Sequence, residues 1–536
     1  MLEQALNVQR ENELITRYNL TRLCARVLAC KDVRDEDIVE LLAPPHLQDP
    51  FSANGMKEIV ERIIKAKKLN ERVLICGDYD ADGICATAIF VDALRHFGIQ
   101  TGFYIPDRLK EGYGLQAKTV EIAKKKGYTL LITVDNGVRA FEALKCAHAL
   151  GMDVIITDHH VLDEKEDLLC YALLHPAYMG GAFASLSGAG IALEVSRALG
   201  VANDRQIVYA GIAAIGDVMK MEGESRNIVR LCIDILNRNK VQSIQLLAND
   251  SNTWDETKIA FQIVPKLNVT GRLSDRCNVN NTVRYLLSDD VKDLIAVSKQ
   301  IQALNDMRKA MSTQMEELAF KKISPNSEFV IVSDASFHEG IVGLVAGKLC
   351  EKLERPCMIL AQKGDLLRGS IRSIEGIDLS HFFDELPCEK QFGGHALAAG
   401  ITFEKKNLSK VKLYVQQQLA KQPLFEKQPK MYIPVEKNLL TIKEVESLKQ
   451  LKPFGNGFDE PVFCVKDLTI ISVRTLGNQQ HMKWVEKNGM ELLLFNAGNN
   501  IHELKEGGYH FFAGTLNINR FRNQQRVNMI VQAVER

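Results

Sequence analysis

Three short apolar runs, each closing on an acidic turn, constrain this chain more than any other feature of its sequence. Arg72-Val73-Leu74-Ile75-Cys76 ends at Gly77-Asp78, the run 129–134 ends at Asp135-Asn136-Gly137, and Val154-Ile155-Ile156-Thr157 ends at Asp158-His159-His160. Runs that are apolar throughout, rather than alternating, predict strands buried on both faces. With amphipathic segments between them, they imply an α/β domain built on a parallel sheet over residues 55–217. Ligands bind such sheets just beyond the carboxyl ends of the strands. All three acidic turns fall there.

At 536 residues the chain is too long for one core and divides into about three or four domains. Residues 1–45 read as a helical segment without identifiable chemistry, and the first α/β domain takes 46–280. From Asp289 to Lys322 there is no Gly or Pro. Apolar residues recur at helical spacing through Val291, Leu294, Ile295, Ile301, Leu304, Met311, Met315 and Leu318, with Ser298 interrupting them. This predicts one long helix connecting two lobes over 281–325. A second α/β unit opens with Phe329-Val330-Ile331-Val332 and occupies 326–420. The polar stretch 421–430, with Pro423 and Pro429, reads as a linker. Beyond it, over 425–536, short runs such as Leu468-Thr469-Ile470-Ile471 and Leu492-Leu493-Leu494-Phe495 predict a small β-barrel.

Composition narrows the function classes. No apolar run approaches the roughly 20 residues that cross a bilayer, and Met1-Leu2-Glu3-Gln4 does not open a signal peptide, so the expected compartment is the cytoplasm. The 12 cysteines stand singly, without a C-x-x-C pair, which argues against a zinc ribbon or a disulfide framework. Lys plus Arg and Asp plus Glu both total 67, so no global positive field marks a non-specific DNA coater. A basic groove beside acidic metal ligands remains open.

The chemistry concentrates in Gly77-Asp78-Tyr79-Asp80-Ala81-Asp82-Gly83. Three alternating carboxylates after a buried strand repel one another unless cations neutralise them. An acidic surface turn or helix N-cap is the alternative reading of this loop, and the weaker one even for the loop alone. Asp135 adds a carboxylate, Asp158-His159-His160 adds oxygen and nitrogen donors, and Asp217 sits in the otherwise apolar Ala214-Ile215-Gly216-Asp217-Val218-Met219. A buried carboxylate without a partner is costly, so Asp217 is expected to meet a cation. The set suffices for two metals sharing a bridging carboxylate, the arrangement of two-metal phosphoester hydrolysis. Mixed carboxylate and imidazole donors suit Mn²⁺ or Mg²⁺.

These ordered motifs resemble the DHH phosphoesterase superfamily and, within it, the RecJ family, from about residue 45 nearly to the C-terminus. The resemblance implies a metal-dependent 5′→3′ exonuclease for single-stranded DNA that acts in recombination and repair. One metal would be held by Asp80 and Asp135 with Asp78 nearby, and the second by Asp82, Asp135, His159 and Asp217. His160 would touch the scissile phosphate and Asp158 would support the ligands. Cys76 stands where some relatives carry a metal-binding His, implying a weaker or water-completed first site. The block 105–114, containing Arg108 and Tyr113, also matches, with Arg108 placed to grip a phosphate. Leu186-Ser187-Gly188-Ala189-Gly190 is read as structural packing.

The second lobe resembles the family's DHH-associated domain through Phe337-His338-Glu339-Gly340, Arg368-Gly369-Ser370-Ile371-Arg372 and the turn Gly393-Gly394-His395. Ser370, Arg372 and Arg272 would hold the 5′-terminal phosphate, although Ile371 replaces the glycine of the family's S-G-R segment. Leu451-Lys452-Pro453-Phe454-Gly455 opens the expected OB fold, whose strand-binding candidates are Lys483, Trp484, Arg520, Phe521, Arg522 and Arg526. Trp484 suits surface stacking and barrel core equally, and one of Phe511 and Phe512 is core. The resemblance also implies a monomer working with a helicase and a single-strand-binding protein. Two alternatives remain. One is a phosphodiesterase for short oligonucleotides or cyclic dinucleotides, disfavoured by the long C-terminal region. The other is a non-catalytic scaffold, disfavoured by the intact acidic set.

Overall fold

The computed structural model describes residues 2–112, 114–162, 168–238, 241–250, 252–421, 430–477, 481–495, 507–521 and 524–535. The chain forms two compact units. One joins Leu47–Met219 to Gly223–Lys427, and the other joins Met1–His46, Lys220–Glu222 and Gln428–Arg536.

In the larger unit, Gln100–Tyr104, Arg72–Cys76, Leu130–Val134, Asp153–Thr157 and Ala172–Leu174 form a five-stranded sheet in that order, every neighbouring pair parallel. The chain leaves Arg72–Cys76 for one side of the sheet and returns to pair with it from the other. Connections therefore diverge between Arg72–Cys76 and Leu130–Val134, opening a crevice at their carboxyl ends. The 77–83 loop and Asp135 sit there. Asp80 caps the helix Ala81–His96 by accepting from the Gly83 N–H at 3.0 Å. That helix is buried along nearly its whole length, and its alanines admit close packing by Gly188–Ala198 and Asp204–Gly216.

The connecting helix runs Val291–Lys321, about 47 Å of α-helix, and the Asp290 side chain caps it. Its buried stripe is Leu294, Ser298, Ile301, Asn305, Ser312, Met315 and Ala319, whereas Val291 and Ile295 are exposed. The helix was legible from its lack of breakers, but the face was not, because three of its inward positions are polar. Beyond it lies a mixed sheet in the order Lys390–His395, Ala398–Glu404, Leu366–Arg372, Cys357–Lys363 and Val330–Asp334. Only its last pair is parallel. Gly393-Gly394-His395, expected as a turn, is instead the end of the edge strand, with Gly393 opposite Gly400 and Gly394 opposite Ala399. Linker residues 422–429 lie outside the described residues.

In the smaller unit a five-stranded barrel closes because the long strand Phe463–Leu476 pairs with Gly507–Phe521 over one half and His481–Glu486 over the other. Glu491–Leu494 and Gln524–Glu535 complete the circuit. Helices Val8–Tyr18, Arg22–Cys30 and Asp35–Leu42 share its core, with Leu14, Leu23 and Leu28 in one cluster with Val445, Leu451 and Trp484. Arg26 fixes this junction by bonding Glu11 at 2.9 Å and Glu436 at 2.7 Å.

Trp484 is a core residue, which corrects its assignment to strand binding. Along His481–Glu486, side chains alternate, and Met482, Trp484 and Glu486 face inward. Its ring meets Phe512 edge-on at 5.5 Å and has no face left for a base. Phe512 lies in the same core, and Phe511 is buried on the opposite face against Tyr432. Trp484→Ala should therefore cost about 3–5 kcal/mol of stability, read as a lowered denaturant midpoint for barrel unfolding. A variant with unchanged stability contradicts the core placement.

Candidate active site

Asp78, Asp80, Asp82, Asp135, His159, His160 and Asp217 come together at the crevice. Their ligating atoms form three groups, each within 4.8 Å: Asp78 with Asp80 and Asp135, Asp82 with His159 and Asp217, and Asp135 with His159 and His160. The His159 Nε2 lies 3.1 Å from Asp135 Oδ1, 3.4 Å from Asp217 Oδ2 and 3.6 Å from Asp82 Oδ2. Asp135 belongs to two of the groups and holds a left-handed backbone, φ 59°, a conformation that Asp tolerates better than most residues.

The electrostatics of the cluster call for cations. Burial drives the Asp135 carboxyl well above its ordinary range, and the charges of Asp82, Asp80, Asp78 and Asp217 push it the same way. Asp78 is raised likewise, by burial and then by Asp80. Its buried Oδ1 has no hydrogen-bond partner. Burial, then Asp82 and Asp80, lift Asp217 to about 8. Asp217 also occupies the C-cap of Asp204–Gly216, where the helix dipole opposes a negative charge. Burial lowers His159, favouring the neutral imidazole that binds metals. Oxygen and neutral nitrogen donors of this kind fit Mn²⁺ or Mg²⁺. Cys76 belongs to none of these groups. Its side chain lies in the apolar layer with Leu131 and Ile156, and burial keeps the thiol protonated, up to about 12.

Other residues fix the ligands. The Asp82 carboxylate accepts from the backbone N–H groups of Gly188 and Ala189, both at 2.7 Å. A Cβ on Gly188 would lie 2.6 Å from the Asp135 Cβ, so only glycine lets this turn approach. The 186–190 turn, expected as packing, thus also orients carboxylates of the cluster. Asn136 is buried and donates to the carbonyls of Cys76 and Val134, tying two strand ends together. Asn268 accepts from the Ala81 N–H at 2.7 Å. Asp158 accepts from the N–H groups of Val138, His159 and His160 and from His160 Nδ1 at 2.8 Å. Burial opposes protonation of His160, yet that bond and the Asp158 charge hold it up to about 9.

The cluster opens into a cavity of about 860 Å³ whose other wall carries Arg108, Arg272, Ser370, Arg372, Gly393, Gly394 and His395. Among the described residues, none of the three arginines forms an ion pair. Arg108 stacks over Tyr79 at 4.8 Å, and Arg372 donates to Ser370 Oγ at 2.8 Å. Burial, then Arg108, Arg308 and Arg372, lower Arg272 to about 10. Cations gathered at such cost suit an anionic ligand. Ser370 and Arg372 share one face of their strand while Ile371 is buried on the other, so isoleucine there leaves the pocket intact. Tyr113 and Arg522 lie outside the described residues, and nothing is described of the Phe521 side chain.

Residues 72–216 match the DHH family N-terminal domain, 326–421 the DHHA1 domain, and 433–533 the RecJ OB domain. The chain is 32% identical over 513 residues to the single-stranded-DNA-specific exonuclease RecJ of Bacillus subtilis (strain 168), covering 90% of this chain and 64% of that protein. It is 26% identical to the RecJ of Escherichia coli (strain K12), covering 96% of each. Domains of the DHH, DHHA1 and RecJ OB types thus follow one another along this chain, which is similar to RecJ exonucleases over most of its length. RecJ from Thermus thermophilus in complex with Mn²⁺ shares its fold, with a TM-score of 0.85 and 24% identity over 100% of this chain and 79% of that one. An exonuclease RecJ bound to manganese superposes at TM-score 0.61 with 27% identity, over 71% of this chain and 96% of that one.

The DHH cluster carries a pH signature. Because folding raises Asp217 from 3.8 to about 8, its neutral form favours the folded state, and that contribution is lost as pH rises through about 8. In chelator, the melting temperature of the larger unit should fall as pH rises from about 4 to about 8 and level off above that, where the group is charged in both states. Saturating Mn²⁺ should remove the decline by neutralising the carboxylates. The same decline with and without Mn²⁺ would show that cations do not bind here.

Proposed function

We propose that this chain is a metal-dependent, single-stranded-DNA-specific exonuclease that hydrolyses phosphodiester bonds 5′→3′ and releases nucleotide monophosphates. The observation that carries the reading is the single cavity joining the carboxylate–imidazole cluster to the arginine-lined anion wall. The activity for which the RecJ relatives are named supports it, as do the Mn²⁺ and Mg²⁺ complexes of the Thermus thermophilus protein.

Asp78, Asp80 and Asp135 would hold one cation, and Asp82, Asp135, His159 and Asp217 the other, with Asp135 shared. Two divalent cations so held supply a nucleophile from water at neutral pH and neutralise charge on the leaving oxygen. The chain's own groups do the rest. His160, kept protonated by Asp158, donates to a non-bridging oxygen of the scissile phosphate. Arg108, Arg272, Ser370 and Arg372 take the terminal phosphate, with the 393–395 strand end forming the pocket's rim. An internal phosphodiester carries one charge and continues into a second nucleotide, so only a chain end fills this pocket, and that sets the polarity.

In the barrel, Arg520 and Arg526 are exposed, and Lys483 pairs with Glu491 at 2.5 Å. These, with Phe521 and Arg522, remain the residues we propose for gripping the strand. Among the described residues no helix is long and apolar enough to cross a membrane. We read the protein as a cytoplasmic monomer acting in DNA recombination and repair beside a helicase and a single-strand-binding protein.

Digestion of end-labelled strands tests the reading. With Mn²⁺, a 5′ label should be released at once as mononucleotide, a 3′ label only late, and chelator should stop both. Asp135→Ala and His159→Ala should reduce turnover to background while remaining folded. Arg372→Ala should cut the preference for 5′-phosphorylated over 5′-hydroxyl ends about tenfold, the loss of one charge-assisted hydrogen bond. Early release of the 3′ label, or equal response of both ends to Arg372→Ala, contradicts the polarity argument.

A further inference from the structure

His175 has no part in any of the three ligand groups, yet its ring is tied to the Asp158–His160 turn. It follows the strand Ala172–Leu174, is 5% exposed, and caps the short helix Pro176–Met179. Its Nδ1 accepts from the Ala177 N–H at 3.1 Å, and its Nε2 lies 2.9 Å from the His160 carbonyl oxygen. These two contacts determine the tautomer. A nitrogen that accepts an N–H carries no proton, so the single proton of the neutral ring sits on Nε2 and is donated to His160. An imidazolium would place a proton on Nδ1 and lose the cap.

The turn is thereby held from both sides. Asp158 gathers its N–H groups and the His160 Nδ1, and His175 takes the carbonyl of the residue whose imidazole lines the cavity. A neighbouring strand supplies the second hold, since the Asp158 N–H donates to the Leu174 carbonyl at 3.3 Å, one residue before His175. With its Nδ1 bound by Asp158, the His160 ring lines the cavity. Its position depends on the backbone that His175 anchors.

We propose that His175 is a positioning residue for hydrolysis: its Nε2–H, through the His160 carbonyl, sets where the His160 ring stands against the scissile phosphate. This rests on the exonuclease reading given above. A displacement of about 1 Å in a reacting group is enough to cost up to 10²-fold in rate, so the effect belongs in kcat. The terminal-phosphate pocket and the cation ligands are untouched, so KM for DNA and the number of bound Mn²⁺ should not move.

Two substitutions separate the ring's two bonds. His175→Gln places an amide N–H near the Nε2 position and keeps the donor, while giving up the cap. His175→Ser keeps an oxygen for the Ala177 N–H but is too short to reach His160. The full chain with Mn²⁺ and single-stranded DNA should show His175→Ser losing kcat roughly tenfold or more at unchanged KM, with a lower melting temperature from the lost bond. His175→Gln should melt lower yet retain kcat within about twofold of wild type. If His175→Ser does not fold, His175→Asp serves, because it caps but has no proton to donate. The inference is overturned if the folded Ser or Asp variant turns over like wild type, or if kcat follows melting temperature across the variants. A wild-type protein without nuclease activity instead overturns the exonuclease reading, and this inference falls with it.

Discussion

The structure is organised around a repulsion. Asp78, Asp80, Asp82, Asp135 and Asp217 crowd their oxygens into one crevice, and burial raises four of them, Asp78, Asp82, Asp135 and Asp217, above the ordinary carboxylate range. Nothing in a stable fold gathers like charges in that way without a counter-charge. Parallel strands make the crowding geometrically cheap, since the carboxyl ends at a point of diverging connections offer adjoining loops from separate segments. Helix capping by Asp80, backbone donation from Gly188 and Ala189 to Asp82, and the Asn136 tie then hold each carboxylate in place.

Across the same cavity the sign reverses. Arg108, Arg272 and Arg372 accumulate without an ion pair among the described residues, and Arg108 and Arg372 both lower the tendency of Arg272 to stay charged. An acidic wall that calls for cations and a basic wall that calls for anions suit the proposed phosphate substrate, whose ester oxygen would lie on the acidic side. Neither wall explains the other alone. Tyr79 links them directly, standing between Asp78 and Asp80 in the sequence while its ring supports Arg108.

Much of this was legible from residues. Unbroken apolar runs gave the parallel sheet, and acidic strand ends gave the carboxylate–imidazole cluster, because side chains there have one crevice to share. What escaped were features that depend on which face a strand or helix presents. Trp484 sits at an even position of an alternating strand whose register the sequence does not display. Ser298, Asn305 and Ser312 point inward from the long helix although their chemistry suggests the surface. Asn268 and His175 act through single hydrogen bonds to backbone atoms far away in sequence, and no spacing rule reveals such contacts. The 186–190 turn read as packing because its glycines do pack, and the carboxylate contacts follow from how closely they do so.

The central claim is that two cations, sharing Asp135, neutralise the cluster. Anomalous scattering from crystals grown with Mn²⁺ tests it most directly. The account predicts two manganese peaks, one among Asp78, Asp80 and Asp135 and one among Asp82, Asp135, His159 and Asp217. A crevice holding no manganese, or peaks confined to surface carboxylates elsewhere, would contradict it.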